Sequence, residues 1–103
     1  MAELLDFASV RVRLTDERLA HILEHPEMQS LVPAIAAALA SPNKVVESVS
    51  DSSVHLYYTK QQTVKFGEKW LCVVVKFGDQ DAFVLTASLT DQVKKGTTIW
   101  NRS

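Results

Sequence analysis

Little in this sequence can cross-link the chain or bend it sharply. It holds one cysteine, three glycines and three prolines in 103 residues. A single cysteine excludes an internal disulfide framework and fits a reducing compartment. Cys72 lies inside the apolar run Trp70-Leu-Cys-Val-Val-Val75 and reads as a buried small hydrophobe rather than a reactive thiol. No apolar run approaches the roughly 18 residues of a membrane span, so none is expected. A basic stretch followed by a hydrophobic signal core is also missing, which makes the cytoplasm the expected location. An excess of positive charge is absent too. The formal net charge is −1, which excludes the broad basic surface of a non-specific nucleic-acid binder. The chain has no Gly-x-Ser-x-Gly elbow, no P-loop and no dinucleotide fingerprint, which argues against standard hydrolases, nucleotide hydrolysis and dehydrogenases.

What is present is enough for a folded domain. Hydrophobic residues make up 47% and charged residues 22%, a globular rather than disordered balance. A single domain over residues 1–103 is expected, with a modest core that needs no structural metal. Charge is uneven along it. Residues 1–43 hold three Arg and six acids, and residues 44–103 hold eight Lys/Arg and six acids, so an anionic substrate would meet the second half.

Ser9 to Leu14 alternates apolar and polar, a strand with Val10, Val12 and Leu14 on one face and Arg11 and Arg13 on the other. Thr15 or Asp16 then caps a short helix with Leu19, Ile22 and Leu23 as its apolar stripe. Pro26 ends that helix and can open the next. The second helix is expected from Glu27 to about Ala40, with Met28, Leu31, Ile35 and Leu39 on one face and Pro33 in its first turns. Beyond Ser41-Pro-Asn43 the period changes to two. Strands are expected at 45–49, 54–59, 70–77 and 82–89, with a short final one at 97–100 and a hairpin or longer loop at 60–68. In the strand at 54–59, Val54, Leu56 and Tyr58 are expected on the buried face and His55 and Tyr57 on the more open one. The pattern predicts an α+β fold: two N-terminal helices packed on a four- to five-stranded, mainly antiparallel sheet.

The densest chemistry is Arg18-Leu-Ala-His21-Ile-Leu-Glu-His25-Pro-Glu27. Residues four apart share a helix face, and imidazoles exchange protons near neutral pH, so His21 and His25 are candidate acid–base groups. A metal site is not expected: zinc needs about three or four ligands, Cys72 looks buried, and position 22 lacks the Glu of a His-Glu-x-x-His motif. Lys76 ends the central apolar strand, where it either snorkels to solvent or meets a phosphate as a point charge. Thr86 and Ser88 share a strand face, and Ser48 has the matching polar phase on its own strand. Each is either an ordinary strand hydroxyl or a phosphate donor.

The order Arg18-x-x-His21, His25-Pro-Glu27, Leu39-x-x-Pro42, Val45-Val46, Ser48, Tyr57-Tyr58, Val-Val-Val-Lys76, Phe83-Val-Leu-Thr86-Ala87 and Lys95-Gly96-x-x-x-Trp100 resembles the phage- and mobile-element-associated branch of the barnase–EndoU–colicin–RelE nuclease superfamily. The resemblance spans roughly residues 10–101. It implies two helices before a four-stranded antiparallel sheet and a metal-independent endoribonuclease, with toxins among its relatives. His21 and His25 would be the helix-borne acid–base pair, and Lys76, Thr86 and Ser48 the sheet groups facing the scissile phosphate. Tyr57, Ser88 and Lys95 would hold substrate. Relatives often carry an aromatic where Ser88 stands. RNA is the expected partner, with an antitoxin or immunity protein as a further candidate, and no cofactor is expected. The expected reaction is 2′-hydroxyl attack giving a 2′,3′-cyclic phosphate, with acid–base catalysis worth ~10²–10⁴-fold. The alternative is a non-catalytic RNA- or protein-binding regulatory module on the same scaffold.

Overall fold

The computed structural model describes residues 2–102. The chain runs β1 (Ala2–Leu5), β2 (Arg11–Leu14), α1 (Asp16–Ile22), a 3₁₀ turn (Pro26–Met28), α2 (Val32–Ala40), β3 (Lys44–Ser48), β4 (Val54–Thr63), β5 (Gly67–Phe77), β6 (Ala82–Thr90) and β7 (Gly96–Asn101). All the strands join one seven-stranded sheet in the order β1-β2-β6-β5-β4-β3-β7. Among the described residues only β2 and β6 pair in parallel. This corrects the expected architecture. The two helices are short, and a strand hairpin precedes them. The sheet is wider than four or five strands and mixed in direction.

Local chemistry accounts for the helix boundaries. Thr15 caps α1, its side chain accepting from the Arg18 N–H at 3.2 Å, and Asp16 and Glu17 sit at the positive helix end. The expected helix from Glu27 to Ala40 divides in two. Pro26 opens the single 3₁₀ turn, and Pro33 lies in the first turn of α2, where its missing N–H costs nothing.

The main core lies between the helices and one face of the sheet. Ile22, Met28, Ile35, Ala38 and Leu39 meet Val12, Leu14, Val45, Tyr57, Leu71, Val73, Val75 and Val84 there. Alternate residues point the other way. On that opposite face Val46, Leu56, Tyr58 and Cys72 form a smaller buried cluster, bordered by Val54, Trp70, Val74 and Val93. Both faces of the central strands are therefore apolar, which explains the unbroken hydrophobic run of β5.

The connection between β6 and β7 explains the second cluster. β6 ends at Thr90, opposite Trp70, while β7 begins at Gly96, opposite Ser48 on β3. Residues 91–95 thus cross the face away from the helices. Val93 packs on the small cluster, and the Lys94 N–H donates to the Tyr58 hydroxyl at 3.1 Å. Gly96 lets the chain come down onto β3. A Cβ there would lie 2.6 Å from Val46 Cγ1 and collide with the Glu47 carbonyl oxygen.

β4 and β5 outrun their neighbours. β3 covers β4 only as far as Tyr58, and β6 covers β5 only from Trp70 onward. Gln61, Gln62 and Thr63 pair with Lys69, Glu68 and Gly67 alone, making a two-stranded arm tipped by Val64, Lys65 and Phe66. The Thr63 hydroxyl ties the tip, donating to the Gly67 carbonyl at 2.8 Å and accepting from the Phe66 N–H at 2.9 Å. Gly67 has φ +72°, the left-handed conformation this turn requires.

Candidate functional site

The expected acid–base pair does not share a helix face. α1 ends at Ile22, and His25 stands beyond it with φ −90° and ψ 111°, before Pro26. A proline disfavours helical geometry in the residue preceding it, which accounts for the extended backbone of His25. Both imidazoles are exposed and each faces its own carboxylate: His21 Nδ1 lies 3.6 Å from Glu24 and His25 Nδ1 3.7 Å from Glu27.

The sheet groups share one face, on strands β3, β5 and β6. Residues directly opposite across strands share a face. Thr86 pairs with Val74, Ser88 with Cys72, and Lys76 with Val54. Ser48 follows the phase of Val46. Ser48, Lys76, Thr86 and Ser88 therefore all lie on the face turned away from the helices. His21 and His25 belong to the helical layer, where the neighbouring Ile22 and Met28 enter the main core. The sheet stands between the two groups.

The sheet groups are also engaged locally. Lys76 Nζ donates to Asp51 Oδ2 at 2.7 Å, and Asp51 further accepts from the Ser53 N–H and hydroxyl. The Lys76 hydrogen bond, with those from Ser53, holds the Asp51 carboxyl far below the usual carboxylate range. A lysine ammonium satisfied by its own ion pair is a poor phosphate ligand. Ser48 Oγ lies 3.2 Å from Ser50 Oγ. Lys95 is exposed in the segment leading to β7.

Tyr57 and His55 reverse their expected placement. Both point to the helix-covered face, because His55 pairs with Val75 and Tyr57 with Val73. The Tyr57 hydroxyl is buried and donates to Asp6 Oδ2 at 2.7 Å. Burial, then this bond to Asp6, drives the Tyr57 pKa far up. Such a ring can neither stack on a base nor release a proton. The other Asp6 oxygen accepts from the Ala8 and Val10 N–H groups at 2.8 and 2.9 Å, so one buried carboxylate closes the β1–β2 turn and anchors Tyr57. His55 lies against Phe77, ring centroids 4.5 Å apart, and burial lowers its pKa despite the opposing influence of Glu47 and Asp6. On the other face, burial pushes Tyr58 up to about 12 and also raises Cys72. Neither is a nucleophile near neutral pH.

Two surface features were not anticipated from the sequence. The first is β7, a sheet edge exposed at every residue. Gly96-Thr-Thr-Ile-Trp-Asn101 contains no charge and no proline. Trp100 stacks on Phe7 at 5.0 Å, yet Ile99 and Trp100 remain 43% and 41% exposed. The second is a groove of ≈ 590 Å³ between the β4–β5 arm and the turn at Pro26–Leu31. Its apolar lining includes Leu31, Phe66 and Leu89, with Glu27 on one wall and Lys65 on the other. No group of three or more His, Cys, Asp or Glu side chains capable of holding a metal exists among the described residues. No helix among them is long and apolar enough to cross a membrane. Comparison with protein-family models, curated proteins and solved structures finds no match.

Proposed function

We propose that this chain is a non-catalytic protein-binding module that takes up an extended segment of its partner along the β7 edge. The observation that carries this reading is the edge itself. A strand edge offers a row of backbone donors and acceptors, and natural sheets guard such edges with lysine, proline, inward charge or cover. β7 carries no lysine, no other charge and no proline, and although Phe7 stacks on Trp100 all six of its residues stay exposed. Its one irregularity is the register shift opposite Val45 and Val46, which leaves Ile99 outside the ladder with its apolar side chain accessible. Added strands gain affinity from main-chain hydrogen bonds and specificity from side-chain contacts such as Ile99 and Trp100 would make.

The nuclease reading asks His21 or His25 to work on a phosphate held by Ser48, Lys76 and Thr86, and these lie across the sheet from each other. The RNA-binding form of the module is less favoured than the protein-binding form. Lys76, Lys60 and Lys69 are paired with Asp51, Glu68 and Asp91, and Tyr58 is buried rather than offered to a base.

The test places a guard on the edge. Ile99→Lys adds a charge to an exposed position and should leave the fold intact. Wild-type protein immobilised and exposed to lysate of its own cells is expected to retain a partner that the Ile99→Lys protein loses. Amide exchange of the complex should show new protection at residues 96–101. A captured partner that binds both proteins equally, with no protection on β7, would overturn the assignment.

A further inference from the structure

Charges at the two ends of β7 restrict what kind of strand its edge can admit. Lys94 and Lys95 lead into β7 and Arg102 follows it, and all of them are exposed. Among the described residues none of them makes an ion pair, unlike Lys60, Lys69 and Lys76. On the neighbouring strand Lys44 stands opposite Asn101 and Glu47 opposite Thr97, one charge of each sign, so the flanks of β7 keep their positive balance. Between those flanks lie six uncharged residues. A strand that overlaps them all meets a neutral, partly apolar centre and an unpaired cation at either end.

That pattern discriminates among occupants. In a second copy pairing antiparallel through the same six residues, Lys95 of each would stand opposite Arg102 of the other, and like charges directly opposite are destabilising. A nucleic acid carries a charge at every nucleotide, whereas six consecutive positions here offer no cation, and Trp100 is already stacked on Phe7 instead of free for a base. An extended peptide with acids at its two ends satisfies both the backbone and the charges. We propose that the segment β7 receives is acidic at both ends: an uncharged stretch spanning the six residues of β7, with one Asp or Glu facing Lys95 and another facing Arg102. This rests on the reading of β7 as a receptor edge and adds which segments that edge accepts. The backbone ladder supplies affinity common to any extended chain, and the terminal cations choose among chains and speed their approach.

The test uses labelled synthetic peptides with an alternating Thr-Val centre as long as β7, read by fluorescence anisotropy against the whole protein at low salt. The acid-flanked peptide is expected to bind at least ~10-fold tighter than the same centre flanked by lysines, and to weaken as salt rises. The charge-reversed protein, Lys95→Glu with Arg102→Glu, should invert that preference; both residues are exposed, and an unchanged circular dichroism spectrum checks the fold. An acid-flanked peptide with prolines in its centre should not bind, since proline gives the ladder no N–H. Acid- and lysine-flanked peptides that bind equally, both with protection at residues 96–101, overturn the acidic selection and leave the receptor edge standing. A proline-bearing peptide that binds as tightly as the extended one, or no binding by any peptide, overturns both. A preference unchanged in the charge-reversed protein overturns the proposal, as does a mixed-sequence single-stranded RNA that displaces the acid-flanked peptide. A wild-type dimer in sedimentation equilibrium that the acid-flanked peptide fails to dissociate gives the edge to a second copy instead.

Discussion

The carboxylate of Asp6 shows at the residue scale how this fold is fixed by contacts remote in sequence. It is buried, and three donors satisfy it: the Ala8 and Val10 amides and the Tyr57 hydroxyl. Tyr57→Phe removes one donor while keeping the ring. The expected cost is about 1–3 kcal/mol, since a buried acceptor loses its partner, and chemical denaturation should detect it. A change within about 0.5 kcal/mol, as at an ordinary surface site, would mean that water replaces the hydroxyl freely. His21→Ala, by contrast, alters an exposed side chain and should stay within that ~0.5 kcal/mol range. His55 gives a pH signature. Its folded-state pKa is depressed, chiefly by burial, so the unfolded chain binds its proton more readily. Stability should therefore be fully present above the ordinary histidine range and fall as pH drops through it. His55→Gln should flatten that slope in urea midpoints measured between pH 8 and 5, roughly spanning that range. An identical slope in the variant would assign the titration elsewhere. None of these roles was legible beforehand. Alternation puts Tyr58 on the buried face and Tyr57 on the open one, and nothing local indicates that Tyr57 faces the helices or reaches a carboxylate at position 6.

Elements were more legible where the pattern was local. β2, α1 and the apolar centre of β5 follow directly from alternation, a Thr cap and an unbroken apolar run. A helix stop near Pro26 was readable, but α1 already ends at Ile22 and His25 is extended, because a proline restricts the residue before it. β1 was not readable, since Ala2-Glu-Leu-Leu5 is short and does not alternate. The antiparallel return of β6 onto β5 was readable from the turn at 78–81, but the position of β7 was not: a crossover that carries β7 to the far side of β3 leaves no periodic trace. Its trace is Gly96, whose missing Cβ makes the close approach to Val46 and Glu47 feasible. Gly96→Ala should destabilise by about 1–3 kcal/mol through overpacking and loosen β7, visible as faster amide exchange at 97–101. Unchanged exchange there would show that the edge adjusts without cost. Within β4 and β5 the exchange should be graded. Leu71–Val75 should be among the slowest amides, and the arm at 61–69 should open much sooner, being paired on one side only.

At the scale of the whole molecule, the decisive fact is that one continuous sheet divides the chemistry. Helical and sheet residues that share a plausible order in sequence end on opposite sides, because strand phase, rather than proximity along the chain, decides which way Ser48, Lys76 and Thr86 point. The sequence places those polar residues on strands, and Ser48, Lys76 and Thr86 share one sheet face while each lies on a different strand. It did not reveal that both faces of the sheet would be apolar, one under helices and one under residues 91–95, so no phase argument could tell which face the histidines would meet. β7 and the tip of the β4–β5 arm expose apolar side chains, and the proposed binding role rests on β7. The most direct measurement is RNA cleavage in EDTA with mixed-sequence substrate, comparing wild-type and His21→Ala protein. The account predicts no 2′,3′-cyclic phosphate product from either. Cleavage by the wild type that falls at least ~100-fold in His21→Ala, the scale of a lost acid–base catalyst, would contradict it.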